Sequence, residues 1–324
     1  MYNTIMKRSL LVLILLLLAG SIPVLIYFSK YPQTLDVNIA SLPSRNLSPL
    51  EQGAQALAGL VVKPIYMMLS LVIILALIGQ PAADISALRW GQITFLAGEV
   101  FCAINFYIFR HESVLSEYLH SYGMALAFGF TSFALFEGLD RRILKLTSSR
   151  SACEALRVCG RCTRHEREGC KARAVFQFVI PVLILLSFIP ILSPLQSDAY
   201  AVSIFGFPYS YTRFDFYEVY ERRILPILAS IAFILAYLPL WRKGEPPIPS
   251  ITKALLSAGI GALGFSFFRV TLNAVFVDSL VWFEFWEEAT ELMFVGLVAF
   301  ALWEFRGTLL QKTPMLEGIG ISFK

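Results

Sequence analysis

Residues 281–291 read Val-Trp-Phe-Glu-Phe-Trp-Glu-Glu-Ala-Thr-Glu, and the apolar run 292–302 follows directly. As one helix this stretch is long enough to cross a membrane, at about 1.5 Å per residue. It contains four carboxylates: Glu284, Glu287, Glu288 and Glu291. They share one helical stripe about 100° wide. Because ionisable groups at membrane depth are costly and usually functional, the stripe marks the candidate site.

The composition is that of a membrane protein. The chain has 324 residues, of which 57% are hydrophobic and 15% are charged, against about 25% charged in soluble domains. The apolar residues form long blocks without the period-2 alternation of strands, so we expect an all-α, polytopic membrane helix bundle in a lipid bilayer. About eight transmembrane helices are predicted, at 9–28, 58–79, 87–109, 119–138, 175–193, 224–241, 251–277 and 280–305.

The first block has two interpretations. Lys7 and Arg8 precede a Leu-rich run with small residues near its end, as in a cleaved signal peptide. The apolar run continues to residue 28, which favours a retained span. Either interpretation leaves the orientation of the remaining helices unchanged.

Basic residues predict the orientation. Ten Lys and Arg residues lie between spans four and five, within 140–173. The positive-inside rule therefore predicts that this loop and both termini are cytoplasmic, and that 29–57 and 194–222 are external. The external Arg222–Arg223 pair is the exception. We expect an integral protein of a prokaryotic cytoplasmic (inner) membrane.

The predicted organisation is one membrane domain with two excursions. The external excursion is rich in Tyr and Phe, which suggests an interfacial element, a loop packed on helix ends, or a quinone or lipid site. The segments are 1–139 (transmembrane helices 1–4), 140–173 (cytoplasmic basic Cys-rich loop), 174–193 (transmembrane helix 5), 194–223 (external aromatic-rich segment), 224–306 (transmembrane helices 6–8) and 307–324 (cytoplasmic tail).

Prolines and small residues predict how the helices are shaped and packed. Pro64 and Pro226 each remove a backbone donor and predict a kink. Span seven carries a run of small residues, which favours close helix packing, with a hinge as the alternative. These are Ser257, Ala258, Gly259, Gly261, Ala262 and Gly264.

Counting depth along the helices brings further polar residues to the acidic stripe. Spans seven and eight are joined by a very short link, so we expect antiparallel neighbours with Arg269 facing the glutamates. In span three, Glu99 lies about 16 Å deep, near the level of Glu291. The predicted cluster is Glu99, Arg269, Asn273, Glu287, Glu288 and Glu291.

One arginine cannot neutralise the carboxylates of this cluster. The remainder must be protonated, hydrated or bound to a cation such as Mg²⁺, Ca²⁺, Mn²⁺ or Na⁺. The alternative is that Arg269 pairs with Glu288 or Glu291 only to lock two helices. A di-iron site would require Glu-x-x-His pairs, which are missing here, and the histidines are not placed centrally for haem ligation.

The basic loop carries four cysteines: Cys153, Cys159, Cys162 and Cys170. The Cys159–Cys162 spacing is typical of zinc and iron–sulfur sites, whereas the outer spacings match no common pattern. The alternatives are Zn²⁺, an iron–sulfur cluster, a dithiol switch or unligated thiols. With the opposite orientation, two disulfides would be favoured.

Three functions are consistent with these sequence features. The first is a transporter or ion-translocating subunit that handles protons or cations at the acidic cluster. The second is a membrane subunit of a redox complex with a cytoplasmic four-cysteine site. The third is a sensor or scaffold whose basic Cys loop docks a cytoplasmic protein partner. No ATP-binding loop, Ser-His-Asp triad or His-Glu-x-x-His motif is present, so the sequence favours, without deciding, a protein that is not a stand-alone enzyme. No nucleic-acid partner is expected.

Overall fold

The computed structural model describes residues 42–109, 113–144, 171–195, 198–213, 218–241, 248–276 and 278–309. Within these ranges the chain is mostly helical. The long helices are α1 (Pro49–Ala76), α2 (Ala83–Tyr107), α3 (Val114–Arg142), α4 (Arg173–Leu192), α5 (Tyr220–Trp241), α6 (Ser250–Val275) and α7 (Leu280–Glu304), and a short α8 (Arg306–Leu309) follows.

Five of these helices, α1, α3, α4, α5 and α6, are long and apolar enough to cross a membrane. The helices α2 and α7 have 25 residues each but contain more polar side chains. The helix positions follow the predicted apolar blocks from residue 58 onward. The first predicted block, 9–28, lies outside the described residues.

A β-hairpin between α4 and α5 makes the all-α expectation incomplete. The strands β1 (Asp198–Ile204) and β2 (Phe207–Arg213) pair antiparallel. They are joined by Phe205 and Gly206, both with positive φ (48° and 87°), as a tight hairpin turn requires. Composition alone concealed this element, but the alternation of apolar residues along both strands is the signal that predicts it.

The hairpin is fixed to three other parts of the chain. The Phe205 backbone N–H donates to Gln52 Oε1 of α1 at 2.9 Å. The Leu280 backbone N–H, at the start of α7, donates to the Tyr200 hydroxyl at 3.0 Å. Residue Ser44 pairs in parallel with Ala201 on the outer edge of β1. The hairpin therefore covers one end of the bundle, which we call the hairpin side.

Consecutive helices run in opposite directions. The starts of α1, α3, α5 and α7 and the ends of α2, α4 and α6 meet on the hairpin side. The helix α6 is central, since 67% of its most apolar stretch is buried inside the protein, against 17% for α4. Large apolar side chains such as Phe178 and Leu185 on α4 are exposed, as expected of a surface in contact with lipid.

Glycines let the central helices approach closely. A Cβ atom at Gly123 of α3 would lie 2.8 Å from the Cα atom of Gly98 on α2. A Cβ atom at Gly261 of α6 would lie 2.7 Å from the Cα atom of Gly129 on α3. The small residues of α6 thus serve helix packing, except Gly264, whose Cβ position meets no atom within 4 Å.

Spans seven and eight are antiparallel, as expected, and Arg269 contacts Glu287, but the two helices do not pack together along their length. The helix α7 packs mainly on α1 and makes few contacts with α6. The two helices meet near their short link, where the rings of Phe276 and Trp286 stack at 6.5 Å. Beyond that point a cavity of about 320 Å³ separates them.

Two prolines coincide with widened helical turns. The π-helical segment Ala58–Val62 of α1 precedes Pro64, and the π-helical segment Tyr220–Ile224 of α5 precedes Pro226. Proline donates no backbone hydrogen bond and its ring crowds the carbonyl four residues earlier, so the turn before it opens. The first widened turn lies next to Lys63, whose side chain is 14% exposed, and the second contains the buried Glu221.

The Arg222–Arg223 pair, which was expected on the external side, has a structural use. Arg223 donates to the carbonyl oxygens of Pro190 and Ser193 at 2.7 and 2.6 Å. Arg222 is buried, pairs with Glu218 at 2.6 Å and bonds the Pro194 carbonyl. Cations that satisfy carbonyls at the C-terminal end of α4 explain why this pair departs from the positive-inside pattern.

Candidate functional site

The candidate site is a cavity of about 700 Å³ on the hairpin side. Its walls come from α1, α2, α3, α5, α6 and α7, and the hairpin forms its roof. The polar side chains that line it are Gln55, Lys63, Asn105, Glu117, His120, Glu221, Arg269, Glu284, Glu287, Glu288 and Glu291. The aromatic side chains are Phe106, Phe205, Phe207, Tyr209 and Phe283.

Lys63 lies between two carboxylates. Its Nζ atom is 2.7 Å from Glu99 Oε2 and 2.8 Å from Glu288 Oε1. Glu99 comes from α2 and Glu288 from α7, so this cation ties three helices together. Glu99 is fully buried, and a carboxylate in that position needs such a partner.

The Tyr66 hydroxyl completes this group. It lies 2.6 Å from Glu99 Oε2, 2.5 Å from Glu288 Oε2 and 3.0 Å from Lys63 Nζ. Its side chain is fully buried. Three polar side chains therefore meet at the Tyr66 oxygen, and we call these four residues the lysine–tyrosine group: Lys63, Tyr66, Glu99 and Glu288.

A second group is centred on Arg269. Its guanidinium pairs with Glu287, and its Nε atom lies 3.0 Å from Glu221 Oε1. Glu221 also accepts a hydrogen bond from the Ser121 hydroxyl at 3.3 Å. The guanidinium lies 5.6 Å from the centre of the Phe283 ring. Arg269 is thus held by two carboxylates from α5 and α7 and by an aromatic face.

His120 lies between the two groups. Its Nδ1 atom is 3.3 Å from the Gly98 carbonyl oxygen and 3.4 Å from Glu99 Oε1. A carbonyl only accepts, so Nδ1 carries the proton. The Nε2 atom is 3.9 Å from Glu287 Oε1, beyond direct hydrogen-bond distance. The histidine therefore lies between Glu99 and Glu287, a carboxylate of the Arg269 group.

Glu291 differs from the other carboxylates. It is 3% exposed, and its Oε2 atom has no hydrogen-bond partner within the described residues. It lines both the 700 Å³ cavity and the 320 Å³ cavity between α6 and α7. A buried carboxyl group is therefore the boundary between two cavities.

Glu284 lies nearest the hairpin. Its Oε2 atom accepts hydrogen bonds from Gln55 Nε2 at 2.9 Å and from the Tyr209 hydroxyl at 3.3 Å. Both donors are neutral. The ring of Tyr209 also lies 5.6 Å from that of Phe106, so a carboxylate and two aromatic rings share this part of the cavity.

The structure brings together five of the six predicted cluster residues: Glu99, Arg269, Glu287, Glu288 and Glu291. Asn273 lies apart, where its amide donates to Glu218 Oε1 at 3.1 Å. The sequence analysis missed Lys63, Tyr66, His120 and Glu221. Lys63 stands inside a predicted span, and a lysine at membrane depth could have been recognised as a candidate site residue. Glu221 falls in a stretch assigned to an external loop.

Three sets of side chains have the spacing of a cation site. One oxygen each of Glu99, Glu288 and Glu291 lies within 4.8 Å of the others. The same holds for a ligand atom each of His120, Glu287 and Glu291, and for one each of Glu99, Cys102 and His120. In the first set the Lys63 ammonium already contacts two of the three carboxylates, so a metal ion there would displace it.

The predicted cysteine site cannot be placed. Cys153, Cys159, Cys162 and Cys170 lie outside the described residues, so the zinc and iron–sulfur interpretations stay predictions. At the end of the bundle opposite the hairpin, Lys253 is buried and lies 2.6 Å from both Glu137 and Asp140. Arg142 contacts Asp84 at 2.6 Å, so this second polar cluster joins α2, α3 and α6.

Comparison of the chain with known protein families, with curated proteins and with solved structures gave no match.

Proposed function

We propose that this is an integral membrane protein that binds and releases protons in exchange with a cation, as a transporter or ion-translocating subunit. The site consists of the lysine–tyrosine group, His120, the Arg269 group and Glu291. The alternatives of a redox subunit and of a scaffold depend on the Cys loop and gain no support from the cavity.

The contacts of Tyr66 carry this proposal. A phenol has one hydrogen to donate, yet its oxygen lies within 2.6 Å of both Glu99 and Glu288. If Tyr66 donates to one carboxylate, the other approaches a lone pair at very short range. That contact is favourable when the second carboxyl group holds a proton and donates it to Tyr66. The pair of glutamates thus shares at least one exchangeable proton.

The charge balance of the cavity supports the same conclusion. Lys63 and Arg269 are the permanent cations among its lining residues, and they face a larger number of carboxylates. In a low-dielectric environment an excess of buried negative charge is removed by protonation or by a bound cation. The unpartnered Glu291 is the clearest position for such a proton.

The position of Glu291 suggests its role. Two cavities meet at this residue, so its carboxyl group can exchange a proton with either. The 320 Å³ cavity is lined mostly by apolar side chains, among them Ile260, Phe268 and Phe294. In our proposal Glu291 holds a proton at the boundary between the acidic cavity and the mostly apolar 320 Å³ cavity and exchanges it there.

We further propose eight spans with cytoplasmic termini in a prokaryotic inner membrane. The alternating direction of the seven long helices supports an odd number of crossings between 49 and 304, and the predicted span 9–28 would add one. The basic residues of 145–170 would then lie on the cytoplasmic side, opposite the hairpin.

Infrared spectroscopy of the purified protein tests the shared proton. A protonated glutamate has a carboxylic C=O band that shifts in D₂O. We expect such a band at neutral pH and its partial loss in Glu288→Gln and in Glu291→Gln. The matched control is Glu304→Gln, an exposed glutamate of the same helix. A spectrum without the band, or one that these variants leave unchanged, would contradict the proposal.

Flux through reconstituted vesicles tests the transport step. Vesicles loaded with Na⁺ as the exchanging cation and with an internal pH dye should acidify faster under an imposed pH gradient with the protein than without it. Glu291→Gln should reduce this rate by tenfold or more, because an amide takes up no proton. An equal rate for Glu291→Gln and the unmodified protein would exclude Glu291 as the exchanging group.

A further inference from the structure

We propose that the 700 Å³ cavity binds an organic monocation with an apolar body, whose positive centre lies between Glu284 and the rings of Phe106 and Tyr209. This inference deepens the proposed function and rests on it, since it names the cation that is exchanged for the proton.

The size of the cavity argues against a bare ion as its occupant. A volume of about 700 Å³ falls within the range of pockets for organic ligands, about 300–1,000 Å³. A metal ion needs a close shell of oxygen ligands within about 2.6 Å. A molecule of several rings or chains is the better match.

The walls of the cavity divide into two chemical halves. Toward the hairpin they are apolar and aromatic, with Phe205, Phe207 and Pro208 opposite Leu60 of α1. Away from the hairpin they are acidic. A ligand that satisfies both halves has an apolar body and a positive charge, because an anion would meet repulsion at every carboxylate.

One carboxylate, at the junction of the acidic and aromatic halves, has no cationic partner within the described residues. Lys63 is held by Glu99 and Glu288, and Arg269 is held by Glu221 and Glu287. Glu284 has only the neutral donors Gln55 and Tyr209 among its hydrogen bonds. Its carboxylate is therefore the one most open to a cationic ligand.

The inner end of the cavity provides the second observation. Glu291 is buried, lines the cavity and has an oxygen without a hydrogen-bond partner. Beside Glu284, the rings of Phe106 and Tyr209 can stabilise a cation within about 6 Å of their centres. Glu284 and Glu291 line the same cavity, so a positive charge at Glu284 weakens the hold of Glu291 on its proton, which leaves as the ligand binds.

The test uses two ions of nearly the same shape and opposite charge, tetraphenylphosphonium and tetraphenylborate. Protein in nanodiscs is dialysed to equilibrium against each, and the uptake by empty nanodiscs is subtracted. We expect saturable binding of about one tetraphenylphosphonium per chain and no saturable binding of tetraphenylborate. Equal saturable binding of both ions would overturn the charge argument.

Variants locate the binding site. Glu284→Gln should weaken tetraphenylphosphonium binding about tenfold or more, while Glu284→Asp should retain most of it. Gly59→Leu, at a lining position whose Cβ meets no atom within 4 Å, should fill the cavity and weaken binding at least as much. Gly53→Leu, on the same helix, in equally open space and outside the lining, is the control.

The outcomes separate this inference from the proposed function. Folding of each variant is checked by circular dichroism and gel filtration. A carboxylic infrared band without saturable phosphonium binding would support a protonated glutamate in the cavity and would contradict the binding of an organic cation. Phosphonium binding that depends on Glu284 but releases no proton into unbuffered solution would sustain the ligand and contradict the exchange. If neither Glu284→Gln nor Gly59→Leu affects binding, the phosphonium does not bind in the 700 Å³ cavity, and the proposed binding site is contradicted.

Discussion

The Tyr66 hydroxyl lies 2.5 Å from Glu288 Oε2, although Tyr66 belongs to α1 and Glu288 to α7. The two helices are far apart in sequence, and the contact depends on the packing of α7 on α1 in preference to α6. A short contact between a phenol and a carboxyl group requires a defined proton position. The function of the cavity therefore depends on how these two helices pack.

Replacing Lys63 should destabilise the protein strongly. Lys63→Met leaves Glu99 and Glu288 without their cation, and loss of one partner of a buried pair costs about 3–5 kcal/mol. The loss should be smaller at acidic pH. The folded variant then holds more protons on these carboxyl groups than the unfolded chain does, so its stability falls as the pH rises.

Thermal unfolding in detergent at several pH values measures this effect. Lys63→Arg, which keeps the charge, is the control and should be less destabilised. A Lys63→Met variant with unchanged stability, or with the same loss at every pH, would show that the carboxylates do not depend on Lys63.

Glu291→Gln should change the stability of the fold little, by less than about 1 kcal/mol. An amide has nearly the shape of a protonated carboxyl group, and Glu291 has no ionic partner at hydrogen-bond distance within the described residues. Glu291→Asp should lower stability more, since it shortens a buried side chain. A large stability loss in Glu291→Gln would mean that the carboxylate is ionised and paired.

The glycine contacts predict a steric difference. Gly123→Ala places a Cβ atom 2.8 Å from Gly98 Cα, and such overpacking typically costs about 1–3 kcal/mol. Gly296→Ala, in open space on α7, should be neutral or stabilising by up to about 1 kcal/mol. The melting temperatures of the two variants in one detergent measure the difference. Equal values would contradict the close approach of α2 and α3.

The hairpin should respond to alkaline pH. Burial raises the pKa of Tyr211 above its usual value near 10, and its hydroxyl has no partner within the described residues. The unfolded chain therefore loses this proton first, so the stability contributed by Tyr211 is complete below about pH 10 and falls above it.

Tyr211→Phe removes both the buried hydroxyl and its titration. We expect a stability equal to or slightly above that of the unmodified protein at neutral pH, and a smaller loss above pH 10. Unfolding followed by circular dichroism across this pH range is the measurement. A variant with the same alkaline loss as the unmodified protein would assign the effect to another group.

Much of the helical framework was predictable because hydrophobicity is local in sequence. The apolar blocks from residue 58 onward coincide with the observed long helices within a few residues at most ends. The hairpin was less predictable, since its strands are short and its aromatic content suggested only an interfacial segment. Apolar residues alternate with other residues along its strands, but this period-2 pattern was not used to predict strands.

The candidate site was predictable only in part. Because the rise per residue of a helix is regular, counting residues from the helix ends predicted that Glu99 and Arg269 lie at the depth of the acidic stripe. It did not identify Lys63, although this residue stands inside a predicted span, or Glu221, which falls in a stretch assigned to an external loop. Counting residues also could not predict which carboxylate pairs with which cation, because neighbouring carboxylates differ only slightly in their distance from a given cation.

The sequence by itself determined that this chain is a helical membrane protein with carboxylates inside its last long helix, because hydropathy and helical periodicity depend only on neighbouring residues. Only the tertiary structure decided which carboxylates are paired, which one is left without a partner, and that two cavities meet at Glu291. Those properties arise from the divergence of α6 and α7 and from the hairpin over their ends, which are set by contacts between distant parts of the chain.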